Sequence, residues 1–527
     1  FSVIGDVLAE FGLQIGLSLL ILAAGIYMLR RAGRLNKDSR KTFFAISGLR
    51  RSTGFLSALL VPVLFIFVAL NLVAGVLRLR ATVTVRNKPN IILIMMDTTR
   101  MDHMGCYGYK RNTTPNIDEL ARHSIRFEQA IAQSSWTGPS VSSFLTSRYP
   151  ETLFVLPNKL PARRLAQMQV YDFNNLTIQF TTMAEMLRDE GYTTGAVTSN
   201  TLLATVDGWN SGCDYSSVYK MPRTSLAEIK RTSPAVLSLS TNWLDKVKGN
   251  RFFLFSLFVD PHPPYVKRPG YNFDPEYKGN FADAVDIFNS QGTILPLDQL
   301  PGGIQHVTAV YDSGIAYTDH YVGLLVEKLK KEGLYDNSII IMLADHGEEL
   351  GDHGSLFHGR TLYNELLSVP LIIKLPHQTE GRVVKGQFAL IDLFPSVMQA
   401  IGVDSSSAHL SGKSIVLKDA TKCPDAPIFS TTMFMMHDLR SMQTQRYKYI
   451  LGLDKSGDKL FDEMEDPKEQ NNILNEQRDI AYSLRKQLLA HEREAVGAAR
   501  SNDAGDADKK TLSEDDKARL RSLGYAN

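Results

Sequence analysis

Three apolar runs in this chain stop on acids and imidazoles: Ile91 to Met96 at Asp97, Phe252 to Val259 at Asp260-Pro261-His262, and Ser338 to Ala344 at Asp345-His346. Short β-rich runs of this kind read as buried strands, and the carboxyl ends of parallel strands share the edge where open α/β sheets put their ligands. Carboxylates and imidazoles then converge on one point. A lone strand-terminal Asp serves equally well as a turn former or helix cap, but three coincident cases weaken that reading. Asp345 and His346 are adjacent, so both can face one point only where the strand has already turned, which Gly347 permits. A fourth piece is Ser135-Trp136-Thr137-Gly138-Pro139-Ser140. Pro139 suits a helix's first turn, which puts Thr137 and Gly138 just before an N-terminus. Either these two residues only cap that helix, or its unpaired N–H groups and positive dipole end hold an anion beside them.

The elements that must position these residues follow from periodicity. Between Lys88 and about Ile401, short apolar runs, including Val369 to Lys374, alternate with helical spacing over Thr181 to Glu190 and Ile304 to Glu332. That is the pattern of a mostly parallel sheet covered by helices, an α/β fold. With 527 residues the chain is too long for one core and suits two to four folding units. Its 58 Lys and Arg against 56 Asp and Glu leave no basic face to release counterions from a nucleic-acid backbone. The three cysteines, Cys106, Cys213 and Cys423, are too scattered for a disulfide framework or a thiolate zinc site.

Two uncharged apolar stretches, residues 11–29 and 55–77, are long enough as helices to cross a hydrocarbon core of roughly 30 Å. Between them lie Arg30, Arg31, Arg34, Lys37, Arg40, Lys41, Arg50 and Arg51 against Asp38 alone, an excess that normally stays cytoplasmic. A weaker basic cluster after the second stretch argues the other way. The balance predicts a multi-pass inner-membrane anchor over 1–88 with everything after Leu77 on the periplasmic, extracytoplasmic side. At the other end, Glu494 to Asp516 has almost nothing to bury and reads as a flexible linker, with a short amphipathic helix over Lys517 to Tyr525.

Taken together, the ordered stretches Pro89-Asn90 to Tyr109, Thr114-Pro-Asn116-Ile-Asp118, Thr137-Gly-Pro139-Ser140, Asp260-Pro-His262-Pro-Pro-Tyr265, Asp345-His346-Gly-Glu-Glu-Leu-Gly-Asp-His353-Gly and Lys459-Leu-Phe-Asp462 resemble the sulfatase family of the alkaline phosphatase superfamily. The resemblance runs from about Pro89 to Asn472. It implies an alkaline-phosphatase-like sandwich as catalytic domain over 89–403 and a smaller antiparallel sheet with a helix over 404–495, which leaves 496–527 for the linker and terminal helix read from composition. It also implies that Asp97, Asp345 and His346 bind a metal, that Thr137 is the nucleophile, and that His262 contacts the substrate or leaving group. His358 falls near a position where many relatives carry a Lys. Two departures matter. Sulfatases proper have Cys or Ser, converted to formylglycine, where this chain has Thr137, and threonine cannot become that aldehyde. Thr98 replaces the second of two consecutive acids. Threonine nucleophiles are instead a feature of membrane-anchored phosphotransferases of the superfamily.

The mechanism that follows rests on one divalent metal ion, which lowers the hydroxyl pKa of Thr137 and holds its oxygen beside the substrate. Three oxygens and one imidazole favour Zn²⁺ or Mn²⁺ over Ca²⁺. The expected reaction is hydrolysis or transfer of a phosphate ester, with a sulfate ester less favoured, through a phosphothreonine. His262 or His358 would protonate the leaving oxygen. The substrate would be a lipid, an envelope glycan or a soluble ester. The competing readings are a sulfuric ester hydrolase and a catalytically silent membrane scaffold that keeps the fold. Arg100 and Asp102 read as a structural ion pair, and Asp352 and His353 as shapers of the Gly-rich turn.

Overall fold

The structure of the protein, a computed structural model, describes residues 88–153, 180–206, 208–219, 232–268, 270–278, 284–285, 287, 294–300, 302–434, 437–454 and 456–501. Both expected membrane stretches, 11–29 and 55–77, and the terminal helix over 517–525 lie outside the described residues. Among the described residues no helix is long and apolar enough to cross a membrane.

The large sheet is built from β1 (Asn90–Met96), β2 (Ile125–Ile131), β3 (Thr193–Thr198), β4 (Tyr215–Val218), β5 (Phe252–Phe258), β6 (Ser338–Leu343), β7 (Ser368–Val369), β8 (Leu371–Lys374) and β9 (Arg382–Ala389). Its order is β7-β2-β8-β6-β1-β5-β3-β4, with β9 paired to β2. The three most apolar strands, β6, β1 and β5, are buried along their whole lengths and run parallel side by side, Leu93 lying between Ile341 and Phe255. Apolar side chains on both faces demand cover on both faces, and such strands end up in the middle. The sheet is mostly parallel, as expected, with a correction at Val369 to Lys374. Pro370 has no N–H to give a ladder, so the run breaks into β7 and β8, and both pair antiparallel with β2 while β8 also pairs antiparallel with β6.

Helices α1 (Pro115–Arg122), α2 (Thr137–Thr146), α3 (Met183–Asp189), α4 (Ser233–Val247), α5 (Gly303–Lys331) and α6 (Leu393–Ala400) cover the sheet. The run Thr181 to Glu190 becomes α3, fixed at its start by a reciprocal capping box between Thr182 and Glu185. The long α5 packs on α1 and α4.

A second, antiparallel sheet has the order β10 (Ile428–Phe434), β11 (His437–Gln443), β12 (Tyr447–Gly452) and β13 (Lys459–Asp462). Helix α7 (Arg478–Ser501) lies on it, joining Ala481, Leu484 and Leu488 to Met442, Tyr449, Leu451 and Leu460 in a small core. Residues 494–501, expected to open the linker, are instead the end of α7, where Ala495, Ala498 and Ala499 favour continued helix, and the rest of the expected linker lies outside the described residues. Strand β10 is also bonded to the large domain. Ser430 Oγ donates to Ala132 O at 2.7 Å, Thr431 N to Gln133 O at 2.9 Å, and Thr432 Oγ1 to Gly359 O at 2.5 Å.

Candidate metal centre and nucleophile

Strand β1 delivers Asp97 one residue past its end, still tied to the sheet by Asp97 N donating to Phe258 O at 2.9 Å. The chain then turns through Thr98 in the left-handed region, φ 54°, an uncommon conformation for a β-branched residue. Two bonds hold it there: Thr98 N donates to Asp345 Oδ1 at 3.4 Å, and Tyr311 Oη donates to Thr98 O at 2.7 Å. Strand β6 delivers Asp345 and His346 in the same way, and the turn at Gly347 lets both face inward. A Cβ at Gly347 would lie 1.9 Å from Glu365 O, so only glycine fits. The third contributor is α2. Trp136 is its N-cap in extended conformation, so Thr137 and Gly138 belong to the first turn rather than preceding it, and neither caps the helix. Ser140 Oγ fastens this turn to Asp345 O at 2.7 Å.

These elements bring four of the expected residues together, all fully buried. Thr137 Oγ1 is 3.2 Å from His346 Nε2 and 3.4 Å from Asp97 Oδ1. His346 Nε2 is 3.7 Å from Asp97 Oδ1 and 3.5 Å from Asp345 Oδ2. His346 Nδ1 faces Gly347 O at 2.9 Å, so Nδ1 carries the proton and Nε2 presents its lone pair to the cluster. Burial, and then the neighbouring His358, push the His346 imidazole down to about 4, which keeps it neutral. Burial raises the Asp345 carboxyl to about 7. It raises Asp97 well above the usual carboxylate range, with the Asp345 charge adding to the effect.

Two crowded acids and a neutral imidazole suit a cation. The ligating atoms of Asp97, Asp345 and His346 lie within 4.8 Å of one another. Donors about 2.0–2.1 Å from one tetrahedral ion stand roughly 3.4 Å apart, close to the His346 separations. Asp345 Oδ2 is buried and receives no hydrogen bond, an acceptor awaiting a positive partner. The residues therefore fit a divalent metal. Thr98 Oγ1, at the position of the absent second acid, is buried without a hydrogen bond and adds no carboxylate.

The two other expected histidines lie beside this cluster. The ring of His358 is 4.5 Å from that of His346, and the ring of His262 is 4.9 Å from that of His358. His262 contacts Phe357 and His358. His358 Nδ1 bonds both oxygens of buried Glu348, at 3.2 and 3.3 Å. Asp260 ends its strand in the same way as Asp97 but does not join the centre. Its carboxylate accepts from Ser233 N at 2.7 Å and Thr232 N at 3.2 Å at the start of α4, and pairs with buried Arg268 at 2.5 Å. Arg100 does pair with Asp102, at 2.8 Å, and also with Asp352, at 2.6 Å, while His353 pairs with Glu365 and stacks on Tyr363.

Sequence reasoning missed two residues of the centre. Asn200, just beyond β3, donates from Nδ2 to Asp97 Oδ2 at 2.6 Å. The strand-end rule that located Asp97 would have found it, had the short run Thr193–Thr198 been read as a strand. Glu348, two residues after His346, gave no separate signal.

The family model described as Sulfatase matches residues 89–403, and that described as N-sulphoglucosamine sulphohydrolase, C-terminal, matches residues 351–494. An ulvan-active sulfatase of Formosa agariphila is 25% identical over 437 residues, covering 76% of this chain and 81% of its own. The multifunctional alkaline phosphatase superfamily protein PehA of Trinickia caryophylli is 25% identical over 401 residues, covering 62% of this chain and 76% of its own. Among solved structures, the phosphonate monoester hydrolase of Agrobacterium radiobacter shares the fold with a TM-score of 0.60 at 19% identity, covering 77% of this chain and 96% of its own.

Proposed function

This chain belongs to the sulfatase family of the alkaline phosphatase superfamily, a family of ester hydrolases, and from that premise we propose that Thr137 is the nucleophile of a metal-dependent enzyme acting on phosphate esters. The observation that carries this reading is the position of Thr137 Oγ1, 3.2 Å from His346 Nε2 and 3.4 Å from Asp97 Oδ1 inside a buried carboxylate–imidazole cluster. Asp97, Asp345 and His346, with Thr137 alongside, would hold the ion. When bound, a divalent cation there supplies a lower hydroxyl pKa and a counter-charge for the transferred group.

The residues themselves do the rest. The first turn of α2 aims Thr137 at the substrate and offers N–H groups to its anionic oxygens. Thr137 Oγ, its hydroxyl proton released to solvent beforehand, forms the new bond to phosphorus as the bond to the alcohol breaks in line, leaving a phosphothreonine. His358, oriented by Glu348, or the adjacent His262 gives its proton to the departing oxygen. Water, or an acceptor alcohol, then attacks the phosphothreonine and restores the hydroxyl.

Sulfate esters are the second reading, favoured by the ulvan-active relative. A threonine sulfate ester is the harder intermediate to open, which places phosphate first. Residues 11–29 and 55–77, with the basic segment between them, support an inner-membrane anchor with the catalytic part outside. A lipid or envelope glycan carrying the ester would then be within reach.

The test is to offer the purified chain, loaded with Zn²⁺ or Mn²⁺, an aryl phosphate, a phosphodiester, a phosphonate ester and an aryl sulfate. The acid-quenched digest is then searched for an adduct on the peptide containing Thr137. A phosphoryl adduct, absent in Thr137→Ala, is expected. Turnover unchanged in Thr137→Ala would overturn the nucleophile assignment.

A further inference from the structure

We propose that Asn200 is a positioning residue that makes Asp97 a one-oxygen ligand and so sets which ion the centre prefers. This rests on the metal-dependent reading above and deepens it. Asn200 is 2% exposed, and Asp97 is completely buried. Every polar group of Asn200 is engaged in a way that fixes its orientation. Its N–H donates to Thr198 Oγ1 at 2.9 Å, and its Oδ1 accepts from Leu203 N at 2.9 Å. The amide oxygen is thereby committed to a backbone donor, so the group turned toward Asp97 is the NH₂, which donates to Oδ2 at 2.6 Å. The amide cannot flip without stranding Leu203 N, a buried donor.

Asp97 thus has two inequivalent oxygens. Oδ2 is taken up by Asn200, while Oδ1 faces Thr137 and His346. A carboxylate held in this way presents one oxygen to an ion. Zn²⁺ accepts a single oxygen in a tetrahedral set, whereas Ca²⁺ gathers six to eight oxygens and readily takes a carboxylate by both. The buried amide therefore discriminates between ions without touching either of them. A polar group behind a ligand that fixes its orientation is worth about 10–100-fold in metal affinity.

The experiment titrates the metal-free full chain with Zn²⁺ and, separately, with Ca²⁺ by calorimetry, for the wild type, Asn200→Ala and Asn200→Asp. Asn200→Asp keeps the shape but removes the donor. Both variants are expected to bind Zn²⁺ about 10–100-fold more weakly while Ca²⁺ binding falls much less or rises, so that the Zn²⁺-to-Ca²⁺ preference drops at least about 10-fold. A merely structural loss would weaken both ions alike. Equal losses for the two ions, or unchanged Zn²⁺ binding, would overturn the role of Asn200. Tighter Zn²⁺ binding in Asn200→Asp would also overturn it, since residue 200 would then face the ion itself. Failure of the wild type to bind either ion, with Asp97→Ala no different, would instead overturn the metal-dependent reading on which this rests.

Discussion

Replacing Asp345 by asparagine should stabilise the metal-free protein while destroying its centre. Asp345 Oδ1 accepts from Thr98 N and His346 N, which an amide oxygen also does, whereas buried Oδ2 receives no hydrogen bond and so contributes only its share of an unpaired charge. Burial raises this carboxyl to about 7 from the usual 3.8, a difference of about 3 units or roughly 4 kcal/mol at ~1.36 kcal/mol each. The sign follows from proton counts. Between these two values the native state holds a proton that the unfolded chain has released, so stability is fully present below about pH 4 and lost as pH rises to about 7. Asparagine does not titrate. The variant's advantage should therefore be near zero at pH 4, grow to about 4 kcal/mol and level off above pH 7, with relief of Asp97 acting in the same direction. For roughly 400 folded residues, at about 2.1 cal/mol/K each, this amounts to a rise in Tm on the order of 5 °C. The assay is thermal unfolding in chelator from pH 4 to 8, repeated with excess Zn²⁺, where the order should reverse because only the wild type gains binding energy. A variant less stable than wild type at pH 8 in chelator, or a difference that does not change with pH, would refute the account of two crowded buried acids.

Three further outcomes are expected. His491 has a buried Nε2 without a partner and stacks on Phe429 at 3.7 Å; burial lowers its imidazole to about 4. The native state thus rejects a proton that the unfolded chain takes, and the wild type should lose up to about 3 kcal/mol as pH falls from 6.5 to 4. His491→Phe should not, as acid melts of the two proteins would reveal. Gly195→Ala would put a Cβ 2.6 Å from the Trp243 ring, an overpacking that should cost about 1–3 kcal/mol in denaturant melts. His358→Asn should slow turnover of alkyl phosphates about 10²–10⁴-fold but hardly affect a nitrophenyl ester, whose leaving oxygen needs no proton. Equal losses for both would assign His358 another task.

Much of this centre was legible because strand ends are legible. Asp97 and Asp345 follow runs so apolar that only the middle of a covered sheet can hold them, and Gly347 announced the turn that swings His346 inward. The same rule applied to Asp260 gave the wrong neighbourhood. Its run looks identical, but register and the start of α4 decide where a strand-terminal carboxylate points, and neither is written locally. Asn200 escaped for the opposite reason. Strand β3, Thr-Thr-Gly-Ala-Val-Thr, is too short and polar to stand out, since its burial comes from β5 and Trp243 rather than from its own composition. Strands β2 and β9 mix charges into their exposed faces and were equally hidden. The buried pair Lys448–Glu469, at 2.8 Å, joins residues whose proximity arises only after folding.

The seam along β10 has a practical consequence. Ala132 and Gln133 lie on the segment that leads to Thr137, and Gly359 directly follows His358, so three bonds from one strand of the small sheet hold both of these segments. A fragment ending at residue 403 would lose all three bonds, and with them the brace on the segment that leads to Thr137. Swapping the carboxyl-terminal third for that of another chain would therefore change what holds Thr137 and His358 in place, and not the periphery alone.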